Sequence, residues 1–201
     1  MTEKPASTSV PIHQLLAGRW SPRAIDQQAP VARHYLVALL EAARWAPSCF
    51  GDQPWRYLVL DRFHDRDHWQ LAWNCLTDGN KAWVRETPVL MASFADSAFR
   101  RNGKPNRWGQ HDVGAASENL ALQGWALGLV VHQMGGFDRE RLREAFGVPE
   151  QFTAMAMIAI GHPGDPGELP EEKRISELKA RQRVPLADMA FECHWEAGFQ
   201  I

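Results

Sequence analysis

Seven consecutive apolar residues, Ala154 to Ile160, form the longest such run in the chain. Crossing a bilayer takes about 20 of them, so the run reads instead as a buried strand, Thr153 to Ile160. Pro88 to Ala95 reads as a second, mostly buried strand, and Trp55 to Leu60 and Leu129 to His132 as two more. Between them the period lengthens. Val31, Tyr35, Leu36, Leu39, Leu40 and Ala43 recur at helical spacing until Pro47, which predicts a helix over Val31 to Trp45. Further helices are expected near His64 to Leu76, over His111 to Leu127, and over Arg139 to Phe146 with Asp138 as its cap. Helices interleaved with strands make this an α+β chain. With 201 residues, 45% of them hydrophobic, it suits one domain spanning 1–201. Gly161 to Pro170 is rich in Gly and Pro, and residues 171–201 are too sparse to build a core, so this arm is expected to wrap a neighbour.

Charge narrows the function. Lys and Arg number 22 against 24 Asp and Glu, a net charge of −2 without a basic stripe, which argues against nucleic acid and for small-molecule partners. Residues 1–6 lack the apolar core of a signal peptide, and Cys49, Cys75 and Cys193 are odd in number without paired spacing, so a cytoplasmic location is expected. Nine Trp residues suit a flat pocket or ordinary core filling equally well. His111 to Leu127 carries Gly114, Ala115, Ala116, Ser117, Ala121, Gly124 and Ala126, whose small size lets another backbone approach, either the sheet or a second subunit. Arg100 to Gly109 breaks any regular pattern and is a candidate lid or a plain surface loop.

Four segments carry chemistry. Arg19-Trp20-Ser21-Pro22-Arg23 puts two guanidinium groups and a hydroxyl on one turn, a pattern that suits phosphate through charge-assisted bonds. Ala46-Pro47-Ser48-Cys49-Phe50-Gly51-Asp52-Gln53-Pro54-Trp55 is a stiff loop between helix and strand. Met134-Gly135-Gly136-Phe137-Asp138 lets backbone approach a flat ring, or is simply a turn before a capped helix. Arg181-Gln182-Arg183-Val184-Pro185 supplies a second basic cluster. In this order, from about Arg19 to Pro185, the four segments resemble those of the nitroreductase family of FMN-dependent oxidoreductases.

The resemblance implies a three-layer α-β-α fold with a mixed, mainly antiparallel sheet, homodimeric, with a C-terminal arm on the partner. It implies that Arg19, Ser21 and Arg183 hold the FMN phosphate or ribityl chain, with Arg181 close by, and that Arg23 faces the pyrimidine edge of the flavin. The Gly135 amide would donate to flavin N5 and the Gly136 amide to the neighbouring carbonyl; the turn is also a candidate for positive φ. Asn80 would contact the pyrimidine edge, and Pro47, Ser48, Cys49 and Gln53 would belong to the loop that completes the site from the other subunit. Electrons would pass from NAD(P)H through flavin N5 to a nitroaromatic, quinone or enone by a ping-pong route, with no acid–base side chain singled out. Other branches, dehalogenation or flavin breakdown, and a redox sensor or flavin carrier without turnover are the alternatives.

The chain departs from the family pattern at Cys49, which replaces a hydroxyl residue, at Gly51, where Asn is common, and at Trp20, often basic. His64 and His68 stand one helical turn apart with Asp65 and Asp67, a spacing used by metal sites, but no third strong ligand follows and the row reads as a solvated helix face. Cys49 has no identifiable partner base for a nucleophilic role. No Gly-x-Gly-x-x-Gly or Gly-x4-Gly-Lys-Ser/Thr stretch marks a separate nucleotide domain.

Overall fold

The computed structural model describes residues 3–200; residues 1–2 of the N-terminal segment and residue 201 of the arm lie outside them. In chain order the described elements are α1 (Gln14–Gly18), α2 (Arg33–Arg44), β1 (Trp55–Asp61), α3 (Arg66–Asn74), α4 (Asp78–Val84), β2 (Val89–Asp96), α5 (Gly109–Ala126), β3 (Val130–Met134), α6 (Arg139–Phe146), β4 (Phe152–Gly161) and α7 (Glu171–Leu178). The four strands form one sheet in the order β1-β2-β4-β3, and all three ladders are antiparallel.

The apolar runs at 88–95 and 154–160 become the two central strands. All eight residues of β2 are buried. Val89, Met91 and Ala95 pack with Ile158 and Ile160 of β4 against Leu36 and Leu39 of α2 and Val113 and Leu120 of α5. Leu90, Ala92 and Phe94 pack with Met157 and Ala159 on the opposite face, against Trp69 of α3, Trp83 of α4 and Leu142 of α6. Strands covered on both faces lose the polar alternation of a half-exposed sheet, which is why they read as continuous apolar runs. The result is the three-layer α-β-α arrangement.

The small residues of α5 mainly serve this packing. A Cβ on Gly124 would lie 2.3 Å from Val131 Cγ2, and one on Gly109 would lie 2.5 Å from the Asp96 carbonyl oxygen, so helix and sheet meet where only glycine fits. Gly114 has open space beside it. Asp65 caps α3 by accepting the His68 amide (3.0 Å) and also contacts the His68 ring (2.6 Å), so the His64–His68 row is a helix start. Among the described residues no group of three or more His, Cys, Asp or Glu is placed to hold a metal, and no helix is long and apolar enough to cross a membrane.

Three helices have no counterpart in the sequence reading: α1, α4 and α7. The last begins the expected arm; it packs on its own chain through Glu177, which is buried there. On α7 and beyond it bulky apolar side chains are left uncovered, with Ile175, Leu178, Val184, Leu186, Met189 and Trp195 exposed.

Candidate functional site

Residues 19–23 leave the end of α1 and are held from three directions. Arg181 donates from its guanidinium to the Ala17 and Arg19 carbonyls, which fastens the C-terminal segment across the helix end. Glu177 Oε1 accepts the amides of Arg23 (2.9 Å) and Ala24 (3.2 Å). His132 of β3 donates from Nδ1 to the Pro22 carbonyl (2.9 Å). Arg19 Nε lies 2.9 Å from Glu118 Oε1 of α5, an ion pair off the hydrogen-bond angle.

These contacts enclose a cavity of about 390 Å³ lined by Lys4, Arg19, Trp20, Ser21, Arg23, Ser176, Lys179, Ala180, Arg181 and Arg183. Six of the ten are basic and none is acidic. Both basic clusters recognised in the sequence, 160 residues apart along the chain, therefore meet in one place, and Lys4 and Lys179 join them unforeseen. Burial, reinforced by Arg19 and Arg183, lowers the Arg181 pKa. Arg19 Nε and Arg181 Nε are buried without hydrogen-bond acceptors among the described residues. A concave, positively charged surface of this kind, with six cations and two serine hydroxyls in its lining, is chemically equipped to hold a phosphate dianion.

The Gly135 turn lies at the end of β3, three residues past His132. Gly136 carries the constraint: its carbonyl accepts the Thr77 amide (3.1 Å), the Thr77 hydroxyl (3.1 Å) and Asn80 Nδ2 (2.8 Å). A Cβ there would come within 2.8 Å of both side chains, whereas one on Gly135 meets nothing within 4 Å. Gly135 is also outside the left-handed region, so the turn does not need positive φ. Asn80, on α4, is already engaged, donating to Gly136 and accepting Trp83 Nε1–H at 3.2 Å. Trp83 in turn packs on the His132 ring, with centroids 4.5 Å apart. Burial, helped by Arg23 and opposed by the bond to Pro22, lowers the His132 pKa to about 4, leaving a neutral ring that fixes the loop to the sheet.

Pro47, Ser48, Cys49 and Gln53 do not line the cavity. Their loop is braced internally: Ser48 Oγ accepts the Gln53 amide (3.0 Å), and Asp112 Oδ2, at the start of α5, accepts the Cys49 amide (2.9 Å). Phe50, Gly51 and Gln53 all have positive φ (58°, 66° and 53°), a strain that tight loops at functional sites tolerate. The Arg100–Gly109 segment is pinned to this loop at its base, the Arg100 amide donating to Asp52 Oδ2 (3.2 Å) and Arg101 lying 3.8 Å over the Phe50 ring.

Sequence reasoning missed Lys4, Asp112, His132, Glu177 and Lys179. Only Asp112 left a trace, an acid at helical spacing from the apolar Ala116 and Leu120.

The model of the nitroreductase family matches residues 16–162. An NADH dehydrogenase of Thermus thermophilus is 30% identical over 172 residues, covering 69% of this chain and 80% of its own. The solved structure of an oxidoreductase containing FMN is 35% identical and superposes with a TM-score of 0.88, covering 97% of this chain and 98% of its own. A protein from Desulfovibrio desulfuricans solved in complex with FMN is 25% identical with a TM-score of 0.70, covering 94% and 99%.

Proposed function

Because the chain belongs to the nitroreductase family, we propose that it is an oxidoreductase that holds FMN and passes electrons from NAD(P)H to a small acceptor such as a nitroaromatic, quinone or enone, in alternating half-reactions. The observation that carries this reading is the convergence of Arg19, Ser21, Arg23, Arg181 and Arg183 on one cavity free of acidic lining. Bound there, FMN would supply two-electron redox chemistry.

The chain's own residues bind and orient. Arg19, Ser21 and Arg183 hold the terminal phosphate, each charge-assisted bond contributing about 1.5–3 kcal/mol. Arg181 acts differently: with its guanidinium committed to the Ala17 and Arg19 carbonyls, it shapes the cradle. Arg23 supplies a fixed cation to the pyrimidine edge, where reduction places negative charge. Trp20 forms an apolar wall of the cavity. The open space at Gly135 admits the ring edge to the Met134-Gly135-Gly136 backbone, and Asn80 serves by holding the Gly136 carbonyl. Pro47, Ser48, Cys49 and Gln53 come from a second copy of the chain. About residues 171–201 form the arm of a one-domain subunit on its partner, with Ile175, Leu178, Val184, Leu186, Met189 and Trp195 exposed along it.

The test starts from colour. Purified protein should be yellow and release FMN on denaturation, and Arg19→Ala and Arg183→Ala should each weaken FMN binding by roughly 1–3 kcal/mol. With a quinone present the enzyme should consume many equivalents of NAD(P)H per site; consumption of about one would point to a sensor or carrier. Colourless protein that does not bind added FMN refutes the reading.

A further inference from the structure

We propose that Lys4 is a phosphate-binding arm of the cradle, brought from the N-terminal segment and held over the Trp20 indole with its ammonium turned into the cavity. This rests on the phosphate reading of that cavity. Lys4 Nζ lies 4.0 Å from the Trp20 ring centroid and 2.5 Å from the Glu177 carbonyl oxygen, to which it donates. The segment that carries it is tied down by the Ala6 amide, which donates to the Ala17 carbonyl at 2.8 Å.

That position is electrostatically awkward. Lys4 lines the same cavity as Arg19, Arg23, Arg181 and Arg183, and it is part-buried. Burial lowers its pKa; the repulsion of Arg181 and Arg23 adds to this, and Glu177 opposes it. A four-carbon stem could carry the ammonium out to water, where Lys is strongly hydrated. One carbonyl and the face of an indole hold it inward, and among the described residues two of its three N–H groups remain for another acceptor. A dianion in the cavity turns the repulsion among these cations into attraction. Within the sequence Arg19-Trp20-Ser21-Pro22-Arg23, the one position that points an indole at the cavity is thereby covered by a cation from elsewhere in the chain.

A purely mechanical role is the rival, since Lys4 also straps the N-terminal segment to α7. Riboflavin, which lacks the phosphate, separates the two. Dissociation constants for FMN and riboflavin would be measured by flavin fluorescence on full-length wild type, Lys4→Met and Lys4→Arg stripped of flavin, with urea unfolding as a control. Lys4→Met should weaken FMN about tenfold, leave riboflavin unchanged and flatten the salt dependence of FMN binding, while Lys4→Arg recovers most of the loss. Equal weakening of both flavins, or no change in either, overturns the proposal. Wild-type protein that binds the two flavins equally, or neither, overturns the phosphate cradle itself and Lys4 with it.

Discussion

Replacing Glu177 with leucine should be among the most damaging single changes in the chain, although no catalytic step involves it. Its side chain is 1% exposed, and Oε1 accepts the amides of Arg23 and Ala24, while Oε2 lies 3.9 Å from Arg23 Nη1. Leucine fills similar volume but accepts nothing. The Ala24 amide is buried and would lose its acceptor; that of Arg23 is part-buried and would be partly compensated by water. At about 1–3 kcal/mol for a buried unsatisfied donor, the net cost should be about 2–4 kcal/mol. For a protein of this size that corresponds to a fall in Tm of roughly 5–15 °C. Glu177→Gln keeps one acceptor oxygen for both amides and loses only the attraction to Arg23, so it should cost about 1 kcal/mol. Thermal unfolding of the flavin-free proteins, followed by circular dichroism, measures both. A leucine variant melting within a degree of wild type, or a glutamine variant melting as low as the leucine one, would show that the carboxylate does not brace the loop.

The two glycines of the turn should part company: Gly136→Ala forces a Cβ to 2.8 Å from Asn80 and Thr77 and should cost about 1–3 kcal/mol of apoprotein stability, whereas Gly135→Ala should cost almost none yet weaken FMN. Equal thermal shifts in the two variants would refute that division. His132 should make the protein acid-sensitive. Its folded pKa of about 4 lies below the ordinary 6.5, so the unfolded chain binds the proton more readily. The resulting stabilisation, at most about 3 kcal/mol, is complete above pH 6.5 and lost as pH falls through 4. Wild type and His132→Gln should therefore converge in Tm over that window, and parallel pH profiles would count against a buried neutral ring.

The layers of this fold were legible because each is a one-dimensional pattern. An apolar run such as 154–160 says buried strand, the spacing of Leu36, Leu39 and Ala43 says α2, and Asp138 before Arg139–Phe146 marks the start of α6 to the residue. The short helices α1 and α4 carry too few turns for a period to emerge, and α7 buries a glutamate where a pattern reader looks for an apolar stripe. The same limit applies to the site. Arg19, Ser21, Arg23, Arg181 and Arg183 could be nominated because their local groupings resemble a known family. What only the tertiary structure decided is which of these cations face one another and what holds them there: Lys4 over Trp20, Arg181 committed to carbonyls, Glu177 and His132 bracing residues 22–24, and Asp112 bracing Cys49. Each of these joins residues distant in the chain through one or two hydrogen bonds or a ring contact. Such pairings leave no periodic trace in sequence, because their geometry exists only once the sheet and its two helical layers have closed.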